Sequence, residues 1–340
     1  MRTGGGWTEM PDQFHEAMAA ANISALWERI SHGGEGRAEA AHIWHWDTLE
    51  PLLGAAVAAT DMGNAERRVL VLENPAYEGL HRRGIGLNMV VNLQILMPGE
   101  SARPHRHTLN ALRFVIEGDG AAVTIVDGKA VAMEPGDFLL TPGMCWHEHS
   151  HSGETRAVWL DALDAPLHSH FDTNLFEAGP SNDIPTQLPE AALASPGITP
   201  VSSDWKQPYS PMFKYPLAQV EAVLRATPPA KDGARRIRYT NPLTGGAAMP
   251  GIDCYMLAPS QGSETRAYRS NANMVCLAVT GEGVSTVGEE TISWKKNDIF
   301  TCPRDNWISH KAASDDAKLF QMTDRDVLES LHYLREEFAD

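Results

Sequence analysis

Apolar and polar positions alternate along much of this chain in short runs, each ending at glycine, proline or an Asp-Gly pair. RFVIEG, AAVTIVDG, VAMEPGDFLLTP and RAVWLDALD follow one another between Arg113 and Asp164. The pattern returns after Asp253 as DCYMLAPSQG, MVCLAVTGEG, VSTVGEETI, DIFTCP and AKLFQMTD. Alternation of period two marks strands with one buried face, and short strands at regular spacing with turn signals predict an all-β barrel or sandwich. Upstream, VLVLENP is a short strand stopped at Asn74-Pro75, and LNMVVNLQILM has the apolar, β-branched density of a buried strand. Helical spacing appears elsewhere: between Pro11 and Ile30, from Trp44 to Ala59, in LAQVEAVLRAT, and in the closing DRDVLESLHYLREEF. The expected organisation is an N-terminal helical segment over 1–65, a first barrel over 66–165, and a proline-rich, strand-poor connector with one helix over 166–250. A second barrel over 251–325 and a C-terminal helix over 326–340 complete it.

The second set of strands copies the first. Gly99-Glu100 matches Gly262-Ser263, and Gly118-Asp119-Gly120 matches Gly281-Glu282-Gly283, at an offset of 163 residues. Pro142 and Trp146 match Pro303 and Trp307 at an offset of 161, so the chain carries an internal duplication.

The copies differ where chemistry is expected. His105 and His107 sit at i and i+2 of a predicted strand, so their imidazoles share a face. His147 follows the turn Thr141-Pro142-Gly143 and reaches the same point from a neighbouring strand. Three neutral imidazoles on one side leave the other coordination positions of a metal open, as a catalytic site requires. In the second copy the equivalent residues are Tyr268, Ser270 and Ile308, and only His149 keeps a counterpart, His310. One barrel is therefore expected to carry the metal and the other to be structural. His151 continues the alternation as an outer-shell or exposed residue, and His168 and His170 repeat the spacing in a non-ligand loop.

Composition narrows the classes. A formal charge of −16 over 340 residues argues against nucleic acid and anionic membrane surfaces as partners. Four scattered cysteines, Cys145, Cys254, Cys276 and Cys302, fit a reduced, cytoplasmic protein. No apolar run has the length of a membrane helix, and the opening MRTGGGWTEMPDQ lacks a secretory apolar core.

The stretch PGESARPHRHTLNALRFVIEGDG, with Gly, five residues, His-x-His and ten residues to Gly, resembles the first cupin motif, and Pro-Gly-x-x-x-His resembles the second. The common cupin glutamate after the second histidine is absent from Thr108–Arg113. That absence, with HRHTxxALRFVIEGxG, W-H-x-H, ERRVLVLENP and LQILMPGE, makes the chain similar to the gentisate and salicylate 1,2-dioxygenases over nearly its whole length. The resemblance implies a bicupin: two double-stranded β-helix (jelly-roll) barrels with flanking helices. It implies Fe(II) held by His105, His107 and His147. The substrates would be O2 and a small aromatic carboxylate, with the ring opened between its carboxyl-bearing and hydroxyl-bearing carbons. Arg113 would pair with the substrate carboxylate, and His149 would hydrogen-bond substrate or oxygen. Gln94, Trp146 and one of Arg67 or Arg68 would line the pocket, and the family suggests a homotetramer. Where relatives commonly show an aromatic and then Ala-Gly before Leu-Gln, this chain has Val90, Val91 and Asn92. Val90 and Asn92 would therefore reshape the substrate wall, pointing to a 5-substituted salicylate, gentisate being one. The alternatives are a 1-hydroxy-2-naphthoate dioxygenase of the same family, another metal cupin, or a non-enzymatic bicupin that binds a small molecule.

Overall fold

In this computed structural model the described residues are 39–62, 67–77, 88–179, 189–193 and 205–340, with isolated positions at 16, 18, 20, 21, 195, 198, 200 and 201. The helix expected between Pro11 and Ile30 lies outside them apart from those isolated positions. Glu39–Asp340 form one unit, which holds both barrels.

The chain runs β1 (Ile43–Trp44), α1 (Trp46–Ala59), β2 (Arg68–Val71), β3 (Val90–Leu96), β4 (Ser101–His107) and β5 (Ala111–Glu117). It continues with β6 (Ala122–Val126), β7 (Lys129–Ala132), β8 (Phe138–Thr141), β9 (His147–His151), β10 (Ala157–Leu163), α2 (Ala165–Phe171), β11 (Phe176–Ala178) and β12 (Lys214–Tyr215). After α3 (Leu217–Ala226) come β13 (Arg235–Arg238), β14 (Asp253–Ala258), β15 (Tyr268–Ser270), β16 (Met274–Thr280) and β17 (Glu282–Val287). The chain closes with β18 (Glu290–Lys295), β19 (Ile299–Cys302), β20 (Trp307–Ala312), β21 (Lys318–Thr323), α4 (Arg325–Ser330) and β22 (Glu336–Phe338). The turn signals act as read. Val126 and Lys129 pair across a two-residue loop, Asp127-Gly128, at φ 45° and 79°. That conformation suits the hairpin twist and favours Asp-Gly.

The strands form four sheets, two per barrel. The first barrel joins β12-β8-β5-β10-β3-β2 to β11-β4-β9-β6-β7, and the second joins β1-β19-β16-β21-β14-β13 to β22-β15-β20-β17-β18. The two orders correspond strand for strand, so the duplication extends beyond the matched motifs. It extends to details as well. Asp164 accepts from the backbone N–H and Nδ2 of Asn110, both at 2.8 Å. Asp324 does the same with Asn273, at 2.8 and 3.1 Å.

One exchange ties the barrels together. β1 precedes the first barrel yet pairs with β19 of the second, Ile43 opposite Phe300. β12 precedes the second barrel yet pairs with β8 of the first, Tyr215 opposite Phe138. Between the barrels Phe320 packs on Phe114 at 4.4 Å and Phe138 at 5.5 Å between ring centres, with Tyr239 beside them. Helix α1 adds Leu49 and Leu53 to the same continuous core.

In the connector the short strands β11, β12 and β13 each extend a sheet edge. One expectation changes. The C-terminal helix over 326–340 is cut short: α4 ends at Ser330, and Glu336–Phe338 pairs with β15 instead, Tyr268 opposite Phe338. An open sheet edge offers ladder hydrogen bonds that outweigh the helical propensity of the segment. Among the described residues no helix is long and apolar enough to cross a membrane.

Candidate metal centre

Strand β4 presents His105 and His107 on one face, and β9 runs antiparallel beside it with His147 opposite His105. Burial along β9 alternates: His147, His149 and His151 face the barrel interior, while Glu148 and Ser150 face outward. One ring nitrogen from each of His105, His107 and His147 lies within 4.8 Å of the others, and these three form the metal-capable group among the described residues.

The remaining nitrogens orient the rings. His107 Nδ1 lies 2.9 Å from the Leu109 carbonyl, and His147 Nδ1 lies 3.0 Å from that of Cys145. A carbonyl only accepts, so each Nδ1 carries the proton and each Nε2 keeps its lone pair. His147 Nε2 is buried and has no partner in the protein, which is the state of a nitrogen prepared for a metal. His105 differs. Its Nδ1 lies 2.7 Å from Arg67 Nη2 and 3.4 Å from the Arg103 carbonyl, the acceptor open to Nδ1–H when Nε2 is a ligand. All three stay neutral far below ordinary histidine. Burial, then the Arg67 charge, lowers His105 to about 3, and burial lowers His107 to about 4. Burial followed by the Arg113 charge holds His147 well down. Three neutral, converging imidazoles, two of them with the proton placed on Nδ1 by a carbonyl, suit a divalent transition metal of intermediate softness.

Above the histidines the interior is polar. On β5 Arg113 is buried, bonds Thr141 Oγ1, and places Nε 3.0 Å from Asp161 Oδ1 on β10, a contact close enough for an ion pair but too bent for a hydrogen bond. Burial pushes the Asp161 carboxyl up, and the guanidinium beside it pulls back. Trp159 Nε1 donates to the other oxygen at 3.1 Å. Asn92 of β3 lies opposite Asp161, so Asn92, Asp161 and Arg113 form one row across three strands. Asn92 Oδ1, Gln94 Nε2 and His149 Nε2 are buried without partners. Several orphaned polar atoms in one interior mark a site that expects a ligand. Val90 is half-buried and shares their strand face.

His149 has a fixed orientation. Thr124 Oγ1 lies 3.0 Å from His149 Nδ1 and donates to Met133 Sδ at 3.1 Å. Both contacts are met when Nδ1–H donates to the hydroxyl, which turns the ring so that Nε2 faces the interior. Burial and the Arg113 charge hold His149 neutral, well below the usual range.

Two expected pocket residues lie elsewhere. Arg68 turns away, with a two-pronged pair to Glu100 at 2.6 and 3.0 Å and a bond from Nε to the Thr60 carbonyl. Arg67 is the arginine that reaches the histidines. Trp146 lies on the outer side of the sheet, under Arg106 at 4.7 Å, because its neighbour His147 points in. It fills the space beside Gly179, where an added Cβ would collide with the indole. His151 is buried rather than exposed and donates from Nε2 to the Thr155 carbonyl at 2.5 Å. His168 and His170 stand on α2, not in a loop. Sequence reasoning passed over Asp161 and Thr141. The signal for Asp161 was an acid inside the apolar run AVWLDAL, since a buried carboxylate needs a partner.

Comparison with known proteins agrees with this geometry. The cupin domain family model matches residues 92–163. Gentisate 1,2 dioxygenase 1 of Aquipseudomonas alcaligenes is 34% identical, over 97% of this chain and 96% of its own length. The 5-aminosalicylate 1,2-dioxygenase of a Comamonas species is 32% identical over 96% of this chain and 90% of its own. The salicylate 1,2-dioxygenase of Pseudoaminobacter salicylatoxidans, solved as an adduct with gentisate, superposes with a TM-score of 0.88 at 29% identity, covering 98% of this chain and 95% of that one.

Proposed function

This chain belongs to the family of gentisate and salicylate 1,2-dioxygenases, ring-cleaving enzymes, and from that premise we propose that it opens a 5-substituted salicylate, with gentisate in that class, using Fe(II) and O2. The observation that carries the reading is the buried Arg113, aimed into the same interior as three neutral, converging histidines. His105, His107 and His147 would hold the metal, which when bound draws electron density from a chelating hydroxy-carboxylate toward oxygen. The chain's own residues do the rest. Arg113 binds the carboxylate by its planar fork, and Asp161 holds the guanidinium in place. The burial of Arg113, Asp161 and His149 excludes water, which strengthens each of these contacts. His149 presents its unpartnered Nε2 to the reacting groups, oriented by Thr124. Gln94 and Asn92 bring unpaired amide groups to the ring edge, with the half-buried Val90 beside them on the same strand face. An electron-poor ring needs closer positioning, since the substrate contributes less to its own oxidation.

Metal analysis together with an oxygen electrode tests the reading on gentisate, salicylate, 5-aminosalicylate, 5-nitrosalicylate and 1-hydroxy-2-naphthoate. Iron at one per chain and fastest uptake on a 5-substituted salicylate are expected. An iron-free protein that consumes no oxygen with any of these acids refutes the reading. Asn92→Gly should lower the preference for 5-substituted over plain salicylate about tenfold, the worth of one hydrogen bond. An unchanged ratio would assign Asn92 to the scaffold.

A further inference from the structure

The second barrel is hollow where the first holds its histidines. A cavity of about 380 Å³ is lined there by Tyr268, Ser270 and Ile308, the counterparts of His105, His107 and His147. The register confirms the equivalence, because His105 faces His147 and Tyr268 faces Ile308. Interiors of small barrels are ordinarily filled by side chains at crystal-like density. This one has neither the histidines nor side chains that fill their place.

The lining has also gained charge. Strand β13 turns Arg236 and Arg238 to the cavity, and α4 adds Arg325. Their first-barrel counterparts, by strand register and by the matched aspartates that precede the helices, are Val69, Val71 and Ala165. Arg238 is held by the buried Asp253 at 2.8 Å and Arg236 by the buried Asp232 at 2.7 Å. Arg236 Nε is buried without a partner. This is the first barrel's device again, a guanidinium backed by a buried acid so that its other N–H groups face the interior. Arg325 is taken up by Glu329 and Glu336, both part of the lining. Those two carboxylates repel a dianion, so inorganic phosphate is disfavoured and a single carboxylate fits. Tyr255, Phe338 and Met274 complete an aromatic and apolar wall.

We propose that this cavity is a metal-free binding site for a small aromatic carboxylate, with the carboxylate on Arg236 and Arg238 and the ring among Tyr268, Tyr255 and Phe338. Gln321, almost fully buried, supplies a further polar group. Its amide nitrogen has only long contacts, 3.8 Å to Cys276 Sγ and 3.5 Å to His310 Nε2.

Anaerobic equilibrium dialysis of the full-length holoenzyme with salicylate tests the proposal, since without oxygen nothing turns over. Two molecules per chain are expected. The His105→Ala/Arg113→Gln chain should keep one. In the otherwise unaltered chain, Arg236→Gln/Arg238→Gln should weaken the second site tenfold or more while iron content and first-barrel oxygen uptake hold. Ile308→Trp fills the cavity without touching the arginines and should abolish the same site, which covers the case in which the double arginine variant does not fold. Loss of all binding in His105→Ala/Arg113→Gln overturns the proposal, as does second-site binding unchanged in Ile308→Trp. A chain that binds salicylate only at the site emptied by Ile308→Trp would sustain this proposal while refuting the first-barrel reading, so the two fail separately.

Discussion

Replacing Arg113 with lysine isolates the fork from the charge. Arg113 is buried, bonded to Thr141 and faced by Asp161 at 3.0 Å. Lysine keeps a positive group next to Asp161, so the carboxylate is not left as an uncompensated buried charge, a loss that costs about 3–5 kcal/mol when one partner is deleted outright. What lysine cannot do is hold Thr141, Asp161 and a substrate carboxylate together in one plane. A charge-assisted hydrogen bond is worth about 1.5–3 kcal/mol, and a variant that loses one and misplaces another should forfeit roughly 2–4 kcal/mol of transition-state binding. At about 1.36 kcal/mol per factor of ten, kcat/KM should fall about 30- to 900-fold. The assay is initial-rate oxygen uptake on gentisate and 5-aminosalicylate, with iron measured on the same samples. Retained iron with lost kcat/KM supports the role. Unchanged kinetics would remove Arg113 from substrate binding, and lost iron would make it a support of the metal site instead.

The same geometry fixes other outcomes. Alanine at His105, His107 or His147 should remove metal and activity together, read by metal analysis, whereas alanine at Tyr268 or Ser270 should leave the metal content unchanged; full metal in His105→Ala would sink the ligand assignment. Phe320→Ala removes the ring that both barrels share and should cost about 3–5 kcal/mol in one cooperative urea transition; two separate transitions would show that the barrels fold independently. In chelated, metal-free protein His105 and His107 stay neutral in the folded state to about 3 and about 4, while the unfolded chain takes up their protons near 6.5. Between those values the unfolded state binds more protons, so this contribution to stability is complete above about pH 6.5 and is lost as pH falls. Urea midpoints from pH 6.5 to 4.5 should therefore drop less steeply in His105→Asn/His107→Asn, and equal slopes would refute the assignment.

The histidine triad was legible because two local rules suffice for it: strand parity puts His105 and His107 on one face, and a Pro-Gly turn brings in His147. Parity also held the answer for Trp146, which must point away once His147 points in. Its place in the motif is no guide to its face. Arg68 was harder. β2 is a short edge strand, and which arginine turns inward is decided by Glu100, distant in sequence. The C-terminal segment misled for a related reason. LESLHYLREEF has a helical period, but β15 offers a free edge, and pairing between Tyr268 and Phe338 leaves no trace in local spacing. The exchange of β1 and β12 was invisible in the same way, because each strand contributes only two residues to a sheet built elsewhere in the chain.

That exchange bears on why a barrel without metal ligands persists. Strand β5 is buried on both faces. Its alternation sends Arg113 into the first barrel and Phe114 out of it, onto Phe320 of the second, at 4.4 Å. The neighbouring β8, which supplies Thr141 to Arg113, has Phe138 against the same ring and is edged by β12 from the connector. The arginine that faces the candidate site is thus fixed from behind by the second barrel. A forked contact depends on position to a fraction of an ångström, and a guanidinium on a loosely backed strand would lose that placement. On this account the second barrel serves the first site through its packing against β5 and β8, which does not depend on a histidine triad of its own.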